Sequence, residues 1–418
     1  MSIHSMFHGL WSFLVAFLLC ISQVACGDEP VDRVFPLGDI YELVFEGGIR
    51  LQEGTFGSSR AAYNVGPVTV DEDLGQIFVA GHAHHFSVGA YRLTKPKSSF
   101  SIADFPIAKN IQPYRKIQPP ERSAGSPDRI TGLKVVNNRL IVNVAEYYDG
   151  DGNNANTTMY FSDAENLAAS TLHGFYTMDG RAHAAGWISE VPASLQSRLG
   201  GPYLSGYASN IPVNVRHSIG PSLFVWNPNA LVEGSAQSGR VPAIPLIDYS
   251  LKQPLSDDLY NKSGTNRLWT EVSSAHVGLF ALDSTDYLVV GSSGGHASGI
   301  GYKITQDNGK LCGGPCARKA GDYYNYFWRY DVSEFETDNR GRPAYYARPA
   351  EYGQLNLFTG VQKRNHLISG ADFNAESERL YLLVNNVDET QNPYERQPVL
   401  LVYKLRRAAS VTDASPSL

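Results

Sequence analysis

Histidine, tyrosine and arginine stand beside one another at several places in this chain, and those side chains can move protons and neutralise anions near neutral pH. Arg216-His217, Tyr207 and His84 form one candidate set. An arginine that neutralises a sugar carboxylate, with His84, His217 or Tyr207 as base or acid, suits β-elimination from a uronic acid. Arg129, Glu146, Tyr147, Asn365 and His366 are the candidate substrate-binding residues. His82, His276, His296, Cys312 and Cys316 carry the donor types of a zinc site, and such a metal could assist the elimination. Hydrolysis of a glycosidic bond would instead need paired carboxyls, for which Glu146, Glu271 and Asp388 are available. A non-catalytic face that binds glycans or proteins is the rival to both. Asp149-Gly150-Asp151-Gly152-Asn153-Asn154 alternates oxygen donors as calcium loops do, with Asp149, Asp151 and Asn153 as ligands. Tyr160 stands where an EF-hand has its glutamate, so either a different calcium loop or a cluster of Asx turns is expected.

These residues sit at the ends of a repeated unit: glycine, a short apolar strand, a polar turn, a second strand. Gly66-Pro67-Val68-Thr69-Val70 leads through Asp71-Glu72-Asp73 to Gln76-Ile77-Phe78-Val79. The unit returns at Gly132, Gly278 and Gly370, with a degenerate copy at Gly220-Pro221-Ser222-Leu223-Phe224-Val225. A related strand end appears at Tyr91, Tyr302 and Tyr403, and the aromatic run Tyr323–Asp331 reads as a strand packed on both faces. Hairpin sheets that cannot bury their own faces are solved by radial packing. The expected fold is therefore all-β, a five-bladed β-propeller over residues 33–405, with seven blades or a β-sandwich as alternatives. Ile40–Phe45 would add an outer strand to the last blade and close the ring, and residues 406–418 read as a tail.

In such a blade the first strand starts, and the second strand ends, at the same face. That rule puts Asn64, Arg129, Arg216, His217, His276, Asn365 and His366 on one face with His82, His84, His85, Glu146, Tyr147, His296, Asn385 and Asp388. Every histidine past residue 30 joins this face except His173 and His183. A pocket at the centre of that face is the expected site.

The apolar run Leu10–Val24, followed by Ala25-Cys26-Gly27, reads as a secretory signal over residues 1–26, with a membrane anchor as the alternative reading. Cys26 resembles a lipid-attachment cysteine, so the exported protein is secreted, periplasmic or held at the outer membrane by a lipid. Outside the cytoplasm Cys312-Gly313-Gly314-Pro315-Cys316 is expected to close a disulfide, unless both thiolates bind metal. Asn156 and Asn261 begin glycosylation sequons. The 418 residues carry a formal charge of −6, which argues against nucleic acid as a partner.

Gly294-Gly295-His296-Ala297-Ser298-Gly299, Cys312–Cys316 and Tyr324-Asn325-Tyr326-Phe327-Trp328, within Gly201–Tyr352, resemble uncharacterised secreted bacterial propeller-like proteins. The chain is more weakly similar to propeller polysaccharide lyases of the ulvan lyase type, which use His, Tyr and Arg in a central canyon. That similarity implies an exported enzyme acting on an acidic polysaccharide.

Overall fold

Strands such as Gln76–Ala80 are buried at every position and apolar at all but the first, so each must find cover on both faces. Ile77 and Val79 pack toward one neighbouring sheet, while Phe78 and Ala80 pack toward the other. Repeated along the chain, this produces a ring of sheets whose cores lie between blades. The computed structural model describes residues 33–118, 125–211, 217–233, 239–333, 347–358 and 366–409.

Among the described residues five sheets have four or more strands, each built on a four-stranded antiparallel path. Blade 1 runs Val68–Asp71, Gln76–Ala80, Ser87–Arg92, Asn110–Lys116. Blade 2 runs Arg129–Val136, Arg139–Ala145, Thr158–Phe161, Leu172–Met178. Blade 3 is Trp187–Glu190, Tyr203–Gly206, Leu223–Trp226, Ala243–Ile247. Blade 4 is Ser274–Phe280, Asp286–Gly294, Tyr323–Asp331, Glu351–Gln354. Blade 5 is Ile368–Asn374, Arg379–Asp388 and Gln397–Arg407, completed by Tyr41–Leu51. The first strands of successive blades touch in cyclic order, and that of blade 5 touches that of blade 1. The fold is a five-bladed propeller.

Closure follows the expected route: Tyr41–Leu51 pairs antiparallel with Gln397–Arg407, Leu43 opposite Leu405. The last strand reaches Arg407, and the Ala408 amide still bonds Ile40, so the ordered ring extends past residue 405. Residues 410–418 and the export segment, with Cys26, lie outside the described residues.

The third repeat is corrected. Gly220 does not open a blade, because Leu223–Trp226 is the third strand of blade 3. The innermost strand there is Trp187–Glu190, preceded by Gly186. Gly132 shows why glycine marks these positions: a Cβ would run into the carbonyl of Gly186 in the next blade, and a Cβ on Gly186 into that of Gly206. Tyr302 is corrected too, since Ile300–Tyr302 pairs with Pro315–Ala317 in a small separate hairpin. Cys312 and Cys316 close their disulfide beside it, with Cα atoms 6.5 Å apart.

At the end of the axis where the inner hairpins turn, Asp372 joins three blades. One oxygen accepts from the Thr69 hydroxyl and the Val70 amide, both at 2.8 Å. The other receives the Lys134 ammonium at 3.0 Å.

Candidate functional site

The inner strands of three blades carry the same irregularity near their starts. In blade 2 the pairing skips Thr131, in blade 4 His276 and in blade 5 Ser369. A bulge leaves its extra residue unpaired and re-aims the side chain, and all three of these residues line one cavity of about 240 Å³ on the axis. Arg129, Glu146, Tyr147, Tyr207 and His217 line it as well. Tyr207 arrives because the chain leaves blade 3 after Gly206 and crosses to pair Ala208–Ser209 with Ser274–Ala275 of blade 4.

Arg129 is held by the Asp128 carboxylate at 3.1 Å, and its guanidinium lies 4.5 Å from the centre of the Tyr147 ring. The Tyr207 and His217 rings are 4.1 Å apart. Burial pushes the Tyr207 hydroxyl up to about 12, so it can give a proton but not take one at neutral pH. Burial pushes His217 down to about 3 and His276 down to about 4, which makes both rings neutral. Glu146 accepts from the Ser126 amide at 3.0 Å.

A second chamber of about 320 Å³ shares the walls formed by Ser209 and His217. It holds Glu271, which is buried and whose carboxyl is raised by desolvation against the lowering effect of Asn210. His183 lines the same chamber, with Nδ1 2.6 Å from Asp248. Sequence reasoning passed over His183 because it placed the third repeat at Gly220. With Gly186 as the true start, His183 precedes its repeat glycine by three residues, as Arg129 precedes Gly132, and His276 precedes Gly278 by two.

The remaining candidates disperse. His82 borders a small recess that shares Val65, Arg129 and Ile130 with the axial cavity. Burial lowers its pKa, as do His85, Arg60 and His84. His84 is exposed, its amide bonded to His82. His366 lines a separate groove with Tyr323 and Tyr324. Asp388 is buried at the end of its strand, bonded to Thr390 and Gln391. Arg216 and Asn365 lie outside the described residues.

The zinc donors do not fit one metal. Both nitrogens of His296 are engaged, Nε2 with Ser293 at 2.8 Å and Nδ1 with the Asn266 carbonyl at 3.0 Å. Cys312 and Cys316 are joined to each other, and His82 and His276 line different recesses. Among the described residues no three His, Cys, Asp or Glu side chains gather as a metal site. The calcium candidate folds on itself: Asp149 accepts from the Asn153 amide at 3.0 Å, while Asp151 and Asn153 face outward. Asn261 is buried, its amide spent on the carbonyls of Gly295 and His296, so its sequon is closed in the fold.

No protein-family model matches the chain, and no curated protein does. Among solved structures it is similar to the endo-arabinase of Bacteroides thetaiotaomicron VPI-5482, with 9% identity over 84% of this chain and 97% of that one, TM-score 0.39. An exo-1,5-alpha-L-arabinanase from a bovine ruminal metagenomic library matches with 8% identity over 84% and 95%, TM-score 0.37. The alpha-L-arabinofuranosidase of Lactobacillus brevis matches with 10% identity over 81% and 90%, TM-score 0.37. The propeller assignment rests on the strand pairing and the cyclic contacts given above.

Proposed function

We propose that the protein is an exported enzyme that hydrolyses a glycosidic bond in a polysaccharide, using the axial cavity and the chamber beside it. The observation that carries this reading is the unlike setting of two carboxyls on adjoining walls. Glu271 is buried with its proton affinity raised, the condition of a general acid, whereas Glu146 lies in the polar cavity beside Arg129. A carboxyl whose proton affinity burial raises suits the acid role, and a second carboxyl lining the adjoining cavity is available as base.

Elimination is the second reading, favoured by Arg129 beside the protonated Tyr207 and the neutral His217. One experiment separates the two. Neutral and uronic polysaccharides are incubated with the protein, and both reducing ends and unsaturated-uronate absorbance are followed. Hydrolysis gives reducing ends without absorbance, and E271Q should lower that rate about 10²-fold or more. Absorbance rising with the reducing ends would assign elimination. No product from any polymer, with binding retained, would make the ring a binding module.

A further inference from the structure

The chamber beside the axis has a polar wall made largely of hydrogen-bond acceptors. His217 is 8% exposed, and its Nδ1 lies 3.0 Å from the Ala182 carbonyl. A carbonyl only accepts, so Nδ1 holds the proton and Nε2 carries a lone pair. His183 likewise commits Nδ1, to Asp248 at 2.6 Å, and leaves Nε2 over. Neither Nε2 has a hydrogen-bond partner among the described residues.

Asn210 and Ser209 spend donors within the wall. Asn210 takes the Trp269 indole N–H at 3.2 Å on its oxygen, which turns its amide nitrogen to Glu271 at 3.1 Å. The Ser209 hydroxyl donates to the Ile211 carbonyl at 3.2 Å. Lys252 is exposed at the lip, and Ile219, Leu251 and Leu259 supply apolar wall.

We infer that this chamber binds a neutral, hydroxyl-bearing sugar unit, one of whose O–H groups donates to Nε2 of His217 while another hydroxyl bonds Nε2 of His183, and whose C–H face rests on Ile219 and Leu259. The inference rests on the glycan reading above and narrows its substrate class to neutral sugars. A uronate would bring a carboxylate against the buried lone pair of His217, at a desolvation cost that, among the lining cations, Lys252 alone, exposed at the lip, could offset. The neutral ring of His217 is a fixed acceptor, so it discriminates by hydrogen-bond polarity.

The test is calorimetric titration of the full chain at neutral pH with arabino-, manno-, xylo- and galacto-oligosaccharides, and with oligogalacturonate. At least one neutral oligosaccharide should bind at least 10-fold more tightly than oligogalacturonate. H217F, which removes the acceptor and keeps a ring against Tyr207, should weaken that ligand about 10-fold, the effect of one hydrogen bond. H217Q, whose amide oxygen can accept, should recover part of it. Equal or tighter binding of oligogalacturonate, or no binding by any neutral oligosaccharide, overturns the inference without need of a variant. Unchanged affinity in a folded H217F overturns it as well. A neutral sugar bound but never cleaved would remove the hydrolase reading and leave this inference standing.

Discussion

The Asp372–Lys134 pair provides a demanding test of how the ring is held. Asp372 is 2% exposed and Lys134 7%, and the carboxylate also serves Thr69 and Val70 of blade 1. In D372N the amide can still accept from blade 1, but the ammonium is left buried without its counter-charge. Breaking a buried pair from one side costs about 3–5 kcal/mol. Unfolding entropy of roughly 2.1 cal/mol/K per residue, over about 380 residues, is near 0.8 kcal/mol/K. The thermal midpoint should therefore fall by about 4–6 °C, read by circular dichroism.

The pH dependence gives this prediction a sign. In the wild type, desolvation lowers the Lys134 pKa but Asp372 more than compensates, leaving it above its ordinary value. A lysine raised on folding stabilises below its unfolded pKa and loses that contribution only above about 10.5. In D372N burial is opposed only by the lesser attraction of Glu190 and Tyr203, the folded pKa drops, and stability should rise with pH up to about 10.5. The gap between variant and wild type should close from both sides as pH climbs. K134M/D372N should lie closer to wild type than D372N does. A D372N midpoint within about 1 °C of wild type, or a gap that widens with pH, would refute the reasoning.

G132A should destabilise the ring by more than about 2 kcal/mol, because its Cβ meets backbone of the next blade and not a movable side chain, and urea titration would measure it. Wild-type stability should fall as pH drops from about 6.5 toward about 4, since the unfolded chain takes up protons that buried His217 and His276 refuse; H217F/H276F should flatten this slope in thermal scans. Reducing the Cys312–Cys316 bridge should shift the midpoint by no more than about 3 °C, because it closes a short loop worth roughly 2 kcal/mol, and calorimetry with and without reductant would show it.

The blade register was legible wherever glycine does steric work. Gly66, Gly132, Gly278 and Gly370 each precede or enter an inner strand because a Cβ there would strike a neighbour. The same logic at Gly186 was hidden because Ala184-Ala185-Gly186-Trp187 lacks the apolar-strand look of the other copies, while Gly220-Pro221 imitates Gly66-Pro67. That one register error concealed His183. Arg129, Glu146, Tyr147 and His276 were found from the rule that strand starts and ends share a face. The pairing of each ring nitrogen was not, because His296 and His276 look alike in sequence. Only their surroundings separate an imidazole bonded at both nitrogens from one aimed into a cavity.

Ring closure also sets an order of events. Glu42 and Arg406 are partners across the seam although 364 residues separate them. A chain emerging from a ribosome or a translocation pore in sequence holds its first strand idle until its last strand appears. Until then the edge of Tyr41–Leu51 that the last strand will cover is open and free to pair with another copy. Folding of this molecule is thus an end-to-end capture with a large loop-closure entropy, slow by topology. Moving the chain termini into the loop between two other blades would alter that timetable while leaving every blade as it is.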